Sequence, residues 1–354
     1  MLDRIAVVAI TKHGIEIARR LKQKMPEVSI YAPAKHSDGE ADTNWFSEQS
    51  TQVIGNLFKT HHALICIFSL GAVIRMIAPH LIDKKSDPAV LVIDDRANHV
   101  ISTLSGHLGG ANSLTRLVAS FLNAQPIITT AADVNETIAV DLVGREFGWT
   151  IENFENVTKV SALMVNEEKI AIYQDAGERD WWHNTQLPKN VTIVNSIENV
   201  KSLQFKAALV ISDKIITDQE IITKSVIYRP KSLVVGVGLH WDTSKEAIET
   251  GINTVFKESK LSSQSIRNIS SINREAKVKG LEEFSKQYGI RVEIYDKDKL
   301  SMVNVPNPSP TVQKFEGTPS VSEASSLLSS KGELIVPKQK FPPNLTIAVS
   351  RIIY

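Results

Sequence analysis

Short apolar runs alternate with amphipathic stretches through the first third of the chain. Ile5–Ile10 reads as a strand, and Gly14–Lys24 follows as a helix with Ile15, Ala18 and Leu21 on one face. Val28–Tyr31 reads as a second strand and Phe46–Lys59 as a second helix. Ala63–Phe68 is apolar without interruption, as a strand buried on both faces of a parallel sheet requires. Leu70–Ile77 then starts a helix that stops before Pro79. Val90–Ile93 and His99–Ser102 flank Asp94–Asn98 and predict a hairpin. Gly109–Asn123 carries Leu114, Leu117, Val118 and Phe121 at helical spacing, and Pro126–Thr129 is the next strand. This alternation predicts a layered α/β domain with a mostly parallel sheet over residues 1–134.

The pattern changes after that point. Ala139–Phe147 and Val157–Asn166 read as helices, and Ile170–Gln174, Val191–Val194 and Ala207–Ser212 as strands. Residues 135–229 thus form a small middle α/β insert with no motif that carries chemistry. Arg229-Pro230-Lys231 reads as a linker, because the residue before a proline is pushed out of the helical region. A second strand–helix series begins at Leu233–Gly238 and continues through Thr243–Lys257, Arg274–Tyr288, Ile290–Tyr295, Ser320–Ser329, Glu333–Val336 and Leu345–Ile352. Residues 230–354 are therefore expected to be a C-terminal α/β domain.

Composition narrows the function classes. The 42% hydrophobic and 22% charged fractions are those of a globular protein. With 40 basic against 39 acidic residues there is no excess of positive charge for nucleic acid, although a local basic pocket for an acidic small molecule stays open. The lone Cys66 can make neither an intramolecular disulfide nor a thiolate metal site, and reads as a buried structural thiol. The opening MLDRIAVVAI is too short for a signal-peptide core, and no run reaches the length of a membrane span. A cytoplasmic protein with no membrane partner is the expectation.

Candidate chemistry concentrates between Phe68 and Asp133. Gly71 follows a buried strand and opens a helix bearing Arg75, where free amides favour an anion; the plain alternative is a helix packed on the sheet with Arg75 as a surface cation. Ser105-Gly106-His107-Leu108-Gly109-Gly110-Ala111-Asn112 places three glycines in five positions between a strand and a helix. Such a loop offers several backbone donors to one oxygen-rich group, aided by the helix dipole. It is neither G-x-G-x-x-G nor a Walker loop, which disfavours a nucleotide-dependent oxidoreductase. His107 is a candidate general acid or base, or else a loop histidine that hydrogen-bonds the turn. Thr129, Thr130 and Asp133 follow the last strand of this domain and are expected to meet Gly71 and the Ser105–Asn112 loop in one crevice at the strand ends; alternatively the threonines only cap a helix.

The C-terminal domain offers less. Gly236-Val237-Gly238 precedes His240, Trp241 and Asp242, with Thr243 as a helix cap, and all could face a ligand or simply build a turn. Ser320 and Glu323 have capping-box spacing, which favours a structural Glu323 over a catalytic one. Lys338 and Lys340 either bind carboxylates or decorate a loop. His61 and His62 have no partner spacing for a metal, so no metal site is assigned.

With these residues in view, Phe68-Ser69-Leu70-Gly71-Ala72-Val73-Ile74-Arg75-Met76-Ile77-Ala78-Pro79-His80-Leu81 resembles the N-terminal signature of the CbiG family of cobalamin biosynthesis proteins. Lys84–Asp94, Ser105–Asn112 and Ile128–Asp133 continue the resemblance in order, and Val305–Ser309, Gly317–Ala324 and Thr346–Arg351 extend it to the C-terminal domain. One departure is Leu239-His240, where family members carry a Cys-Arg pair. The resemblance implies hydrolysis of the lactone of cobalt-precorrin-5A, with a carbon–carbon bond broken and acetaldehyde released to give cobalt-precorrin-5B. It implies an anionic cobalt-tetrapyrrole substrate that brings its own cobalt, no cofactor, and transient contacts with other enzymes of the pathway. Within that reading His107 is the expected general base, with His240 next. Gly71, Arg75, Ser105, Gly106, Gly109, Gly110, Asn112, Thr129, Thr130 and Asp133 are the expected substrate contacts, with Lys84 and Arg116 as basic neighbours. A non-catalytic carrier of cobalt tetrapyrroles is the alternative.

Overall fold

The structure is a computed structural model that describes residues 4–83, 86–182, 186–274 and 277–354. Lys84, one of the basic neighbours named above, lies outside the described residues. The chain divides into two compact units, Met1–Leu142 and Val143–Tyr354.

The first unit runs β1 (Ile5–Ala9), α1 (Lys12–Lys24), β2 (Ser29–Pro33), β3 (Thr43–Phe46), α2 (Ser50–Thr60), β4 (Ala63–Ile67), α3 (Leu70–Ile77), β5 (Ala89–Ile93), β6 (His99–Leu104), α4 (Ala111–Leu122), β7 (Gln125–Ile127) and α5 (Ala131–Val134). Its strands form one sheet in the order β3-β2-β1-β4-β5-β6-β7. The side-chain alternation of a strand divides the apolar residues between two layers. Ile5, Val7, Ala9, Ile65 and Leu91 pack with Ile15, Leu21, Leu114 and Val118 of α1 and α4. Ala6, Val8, Leu64 and Cys66 pack on the other face with Ile54, Phe58 and Val73 of α2 and α3. Both faces are covered, so β1, β4 and β5 are buried along their whole length. Cys66 is a free thiol within this layer, and burial pushes its pKa up to about 12.

Strand direction corrects one expectation. β1 to β5 are parallel, but β6 pairs with β5 antiparallel in the register Val92↔Ile101, and β7 then runs parallel to β6. The ends of β6 and β7 therefore lie at the opposite edge of the sheet from the end of β4. Gly71 and Arg75, which follow β4, cannot line one crevice with the Ser105–Asn112 loop. The Asp94–Asn98 hairpin, itself legible in the sequence, is what reverses the chain.

The second unit holds two sheets. Its elements are β8 (Thr150–Ile151), α6 (Val157–Val165), β9 (Ile170–Gln174), β10 (Val191–Val194), β11 (Ala207–Ile211), α7 (Gln219–Lys224), β12 (Ser225–Arg229), β13 (Leu233–Leu239), α8 (Lys245–Glu258), β14 (Ile266–Ile272), α9 (Lys279–Tyr288), β15 (Arg291–Tyr295), α10 (Lys297–Ser301), α11 (Pro310–Glu316), α12 (Val321–Ser330), β16 (Glu333–Phe341) and β17 (Leu345–Arg351). The sheet orders are β10-β9-β11-β12-β8 and β15-β14-β13-β17-β16. Gly236 lies within β13, and a Cβ there would sit 1.9 Å from the Ser322 carbonyl oxygen. That glycine is needed for the close approach of α12 to the sheet, not for a ligand. Of the expected middle helices, α6 is present, whereas 139–147 forms turns and the short 3-10 helix Arg145–Phe147. No helix among the described residues is long and apolar enough to cross a membrane.

Candidate functional site

Backbone geometry folds the glycine-rich loop onto itself. Ser105 takes a left-handed φ of 55° and Gly110 one of 85°. The amides of Gly110, Ala111 and Asn112 donate to the carbonyls of His107, Ser105 and Gly106 at 3.0, 3.1 and 2.9 Å. A Cβ on Gly109 would stand 2.3 Å from Ser105 Cβ and 2.7 Å from its carbonyl oxygen, and one on Gly106 would stand 2.7 Å from Asn112 Oδ1. The glycines are thus required by internal packing. Gly109→Ala is expected to spring the loop open, costing about 1–3 kcal/mol as overpacking does and lowering turnover more than melting temperature. Unchanged turnover with this substitution would contradict that reading of the loop.

Loop closure also corrects the expected donors. The amides of Gly110 and Asn112 are occupied within the loop, and the Ser105 hydroxyl donates to the Asp87 carbonyl at 2.9 Å. Among the described residues, the amides of Gly106, Leu108 and Gly109 donate no hydrogen bond, and these are the ones able to meet an oxyanion.

Asn112 opens α4 and is almost fully buried, at 3% exposure. Its Nδ2 donates to Thr130 Oγ1 at 2.9 Å and to Asp133 Oδ2 at 2.7 Å, while Oδ1 accepts from the Ser102 hydroxyl at 2.7 Å. Asn112 and Thr130 therefore tie α4 to α5 and scaffold the site; they are not exposed substrate contacts as the sequence suggested. Thr129 is exposed beside them.

His107 stands at the centre. Its Nε2 lies 2.8 Å from Asp133 Oδ2, and its Nδ1 lies 3.3 Å from Asp141 Oδ1. The three side chains are mostly buried, at 16%, 17% and 14% exposure. Arg116, one turn along α4 from Asn112, donates from NH2 to Asp133 Oδ1 at 2.5 Å. The Asp141 carboxylate is the largest influence on the imidazole; together with Asp133 it outweighs burial and raises the pKa above the ordinary histidine value. Burial pushes the Asp133 pKa up, but Arg116 and then His107 outweigh it and hold the carboxyl below its usual range. His107 is accordingly favoured as an imidazolium. Its contribution to folding stability is complete below about pH 6.5, its unfolded value, and is lost as pH rises through the higher folded value.

Sequence reasoning missed Asp141. It lies in a segment read as the first helix of the middle domain, yet the unit carrying His107 extends to Leu142. No spacing rule marks it, because the contact is made by tertiary folding of a turn. Gly71 and Arg75 stand apart: Arg75 NH1 donates to the Gly71 carbonyl at 3.1 Å on the exposed face of α3. Among the described residues no group of three His, Cys, Asp or Glu side chains is placed to hold a metal ion.

The C-terminal candidates are structural or exposed. Glu323 is fully buried, and its carboxylate accepts from the Asn307 amide, Asn307 Nδ2 and the Lys338 amide at 3.1, 2.8 and 2.9 Å. It pins the Asn307 loop to β16 rather than reaching back to Ser320 as a capping box would, although the Ser320 hydroxyl does cap α12. Lys338 Nζ donates to the Asn307 carbonyl at 2.6 Å. Ser244, not Thr243, caps α8. His240 is exposed and pairs through Nδ1 with Asp242 at 2.6 Å.

Comparison with known proteins matches the chain along nearly its whole length. Family models described as cobalamin synthesis G N-terminal, cobalamin biosynthesis central region and cobalamin synthesis G C-terminus match residues 52–133, 138–230 and 233–350. A cobalt-precorrin-5A hydrolase of Priestia megaterium is 43% identical over 99% of this chain and 95% of that protein. A cobalt-precorrin-5A hydrolase of Salmonella typhimurium is 28% identical over 94% of this chain and 93% of that one. The solved structure of a cobalamin biosynthesis protein G homologue from Sulfolobus solfataricus aligns over 100% of this chain and 98% of its own at 23% identity, with a TM-score of 0.39. Matched in all three regions and over nearly its whole length, the chain belongs to the cobalamin synthesis G (CbiG) family.

Proposed function

We propose that this chain hydrolyses cobalt-precorrin-5A, opening the lactone of the macrocycle and releasing acetaldehyde to leave cobalt-precorrin-5B. The observation that carries the reading is an imidazole held between two carboxylates, beside a loop with unoccupied amides, in a relative of cobalt-precorrin-5A hydrolases. The cobalt belongs to the substrate.

The chemistry has two parts with one proton moving between them. The Gly106, Leu108 and Gly109 amides and the His107 imidazolium polarise the lactone carbonyl. Water adds to the carbonyl carbon and releases its two protons to solvent, the ring carbon–oxygen bond breaks, and the leaving alkoxide takes its proton from His107. A carboxylate and a secondary alcohol result. The neutral imidazole then accepts the hydroxyl proton as the carbon–carbon bond breaks. The bonding pair stays on the macrocycle, whose carbon takes one proton back from solvent, and the two-carbon fragment leaves as acetaldehyde, so that one proton is released overall. One water is consumed and one acetaldehyde is formed. His107 therefore begins as an acid, because its carboxylate neighbours favour the charged ring; the role of first base expected from sequence fits that environment less well.

The reading is tested by incubating the protein with cobalt-precorrin-5A and trapping the volatile product. Acetaldehyde formed in step with substrate loss supports it. Tight tetrapyrrole binding without acetaldehyde would instead support a carrier, the second reading left open by the Leu239-His240 departure.

A further inference from the structure

The two carboxylates around His107 are not equivalent. Asp133 makes the shorter contact, but its charge is divided: Oδ2 also accepts from Asn112, and Oδ1 is paired with the Arg116 guanidinium. Among the described residues Asp141 is paired with no lysine or arginine, and its Oδ1 faces His107 Nδ1 at 3.3 Å from a mostly buried position. An ion pair already neutralised by an arginine does less to hold a second cation than a carboxylate with none. From this arrangement we infer that Asp141 is the positioning residue of the site, fixing the plane and the charge of the His107 ring through Nδ1 so that Nε2 is directed at the reacting groups.

The inference rests on His107 being the proton-transfer group of the hydrolysis proposed above. The charged groups facing the ring from the described elements are Asp133 of α5, Asp141, and, one carboxylate removed, Arg116 of α4. Both carboxylates raise the imidazole pKa, Asp141 first among them. On this account Asp133 is the exchangeable partner. The substrate displaces the Nε2 contact while Arg116 and Asn112 keep Asp133 in place, and Asp141 holds the other nitrogen throughout. A histidine anchored at one nitrogen and reactive at the other has a single orientation in which to transfer its proton.

Three variants of the full chain test it: Asp141→Asn, Asp141→Glu and Asp133→Asn. The first readout is the His107 ring titration by nitrogen-15 NMR, assigned by comparison with His107→Ala and free of any substrate. Asp141→Asn is expected to move the ring pKa down, and by more than Asp133→Asn does. The second readout is turnover across pH. Asp141→Asn should lower kcat ~10-fold or more near neutral pH, leave KM within a few-fold, and bring the high-pH loss of activity to lower pH. Asp141→Glu, which keeps the charge, should recover most of the rate. A His107 titration unmoved in Asp141→Asn, or moved less than in Asp133→Asn, overturns the assignment. So does a loss confined to KM. Because the titration needs no substrate, it decides the role of Asp141 even where absent acetaldehyde has removed the hydrolase reading.

Discussion

Replacing His107 with alanine is expected to lower acetaldehyde release by about 10²–10⁴-fold, the range of a single general acid–base group, while tetrapyrrole affinity changes only a few-fold. The expectation follows from placement. Among the described residues of the first unit His107 is the one imidazole held by two carboxylates, and it emerges from a loop whose fold is maintained by backbone hydrogen bonds. Removing its side chain leaves those bonds intact. It also leaves Asp133 paired with Arg116 and Asn112, so that α4 and α5 stay tied together. Amides at Gly106, Leu108 and Gly109 remain to receive the substrate. Binding and chemistry should separate in this variant. Measuring affinity by tetrapyrrole absorbance and turnover by aldehyde trapping on the same preparation checks both halves; turnover within tenfold of the parent would move the proton transfer to another group, with His240 the next to replace.

A second large effect is expected in the second unit. Asp213→Ala should destabilise the second unit by about 3–5 kcal/mol, as breaking a buried ion pair from one side does. Asp213 is fully buried at the end of β11 and accepts two bonds from the Arg351 guanidinium, at 2.7 and 2.8 Å, and one from the Ser232 hydroxyl at 2.8 Å. The contact joins the middle sheet to β17 of the C-terminal sheet. Alanine would leave the Arg351 charge largely desolvated with only the longer contact to Glu333, at 3.4 Å. Replacing both partners, Asp213→Leu with Arg351→Met, should restore much of the loss, because no uncompensated charge then remains. Denaturant melts of the single and double variants measure this. A single variant as stable as the parent would mean that water already reaches the pair.

The two effects differ in how far the sequence revealed them. The glycine-rich loop, the helix after it and His107 were legible because turn chemistry and helical periodicity are local. So was the hairpin of β5 and β6, through Asp94–Asn98. Its consequence is a matter of topology rather than local pattern: a strand reversed by a hairpin carries its following loop to the other end of the sheet, away from Gly71 and Arg75. Asp141 was invisible because a turn residue acquires its partner only through tertiary folding. Asn112 was legible as part of the loop but was assigned to the ligand. In the fold its amide is consumed by Ser102, Thr130 and Asp133, a network set by the packing of three elements. Glu323 gives the same lesson in the second unit. Its spacing from Ser320 matched a capping box, while its burial directs the carboxylate to the amides of Asn307 and Lys338 instead.

The central claim is that a protonated His107 assists water in opening the lactone before acetaldehyde leaves. A single turnover of cobalt-precorrin-5A in water enriched in heavy oxygen tests it most directly, read by mass spectrometry of the tetrapyrrole and of the trapped aldehyde. The account predicts one heavy oxygen in the newly formed carboxylate of the product, one acetaldehyde per tetrapyrrole converted, and neither with His107→Ala. Acetaldehyde released with no heavy oxygen in the tetrapyrrole, or heavy oxygen incorporated at the parent rate by His107→Ala, would contradict it.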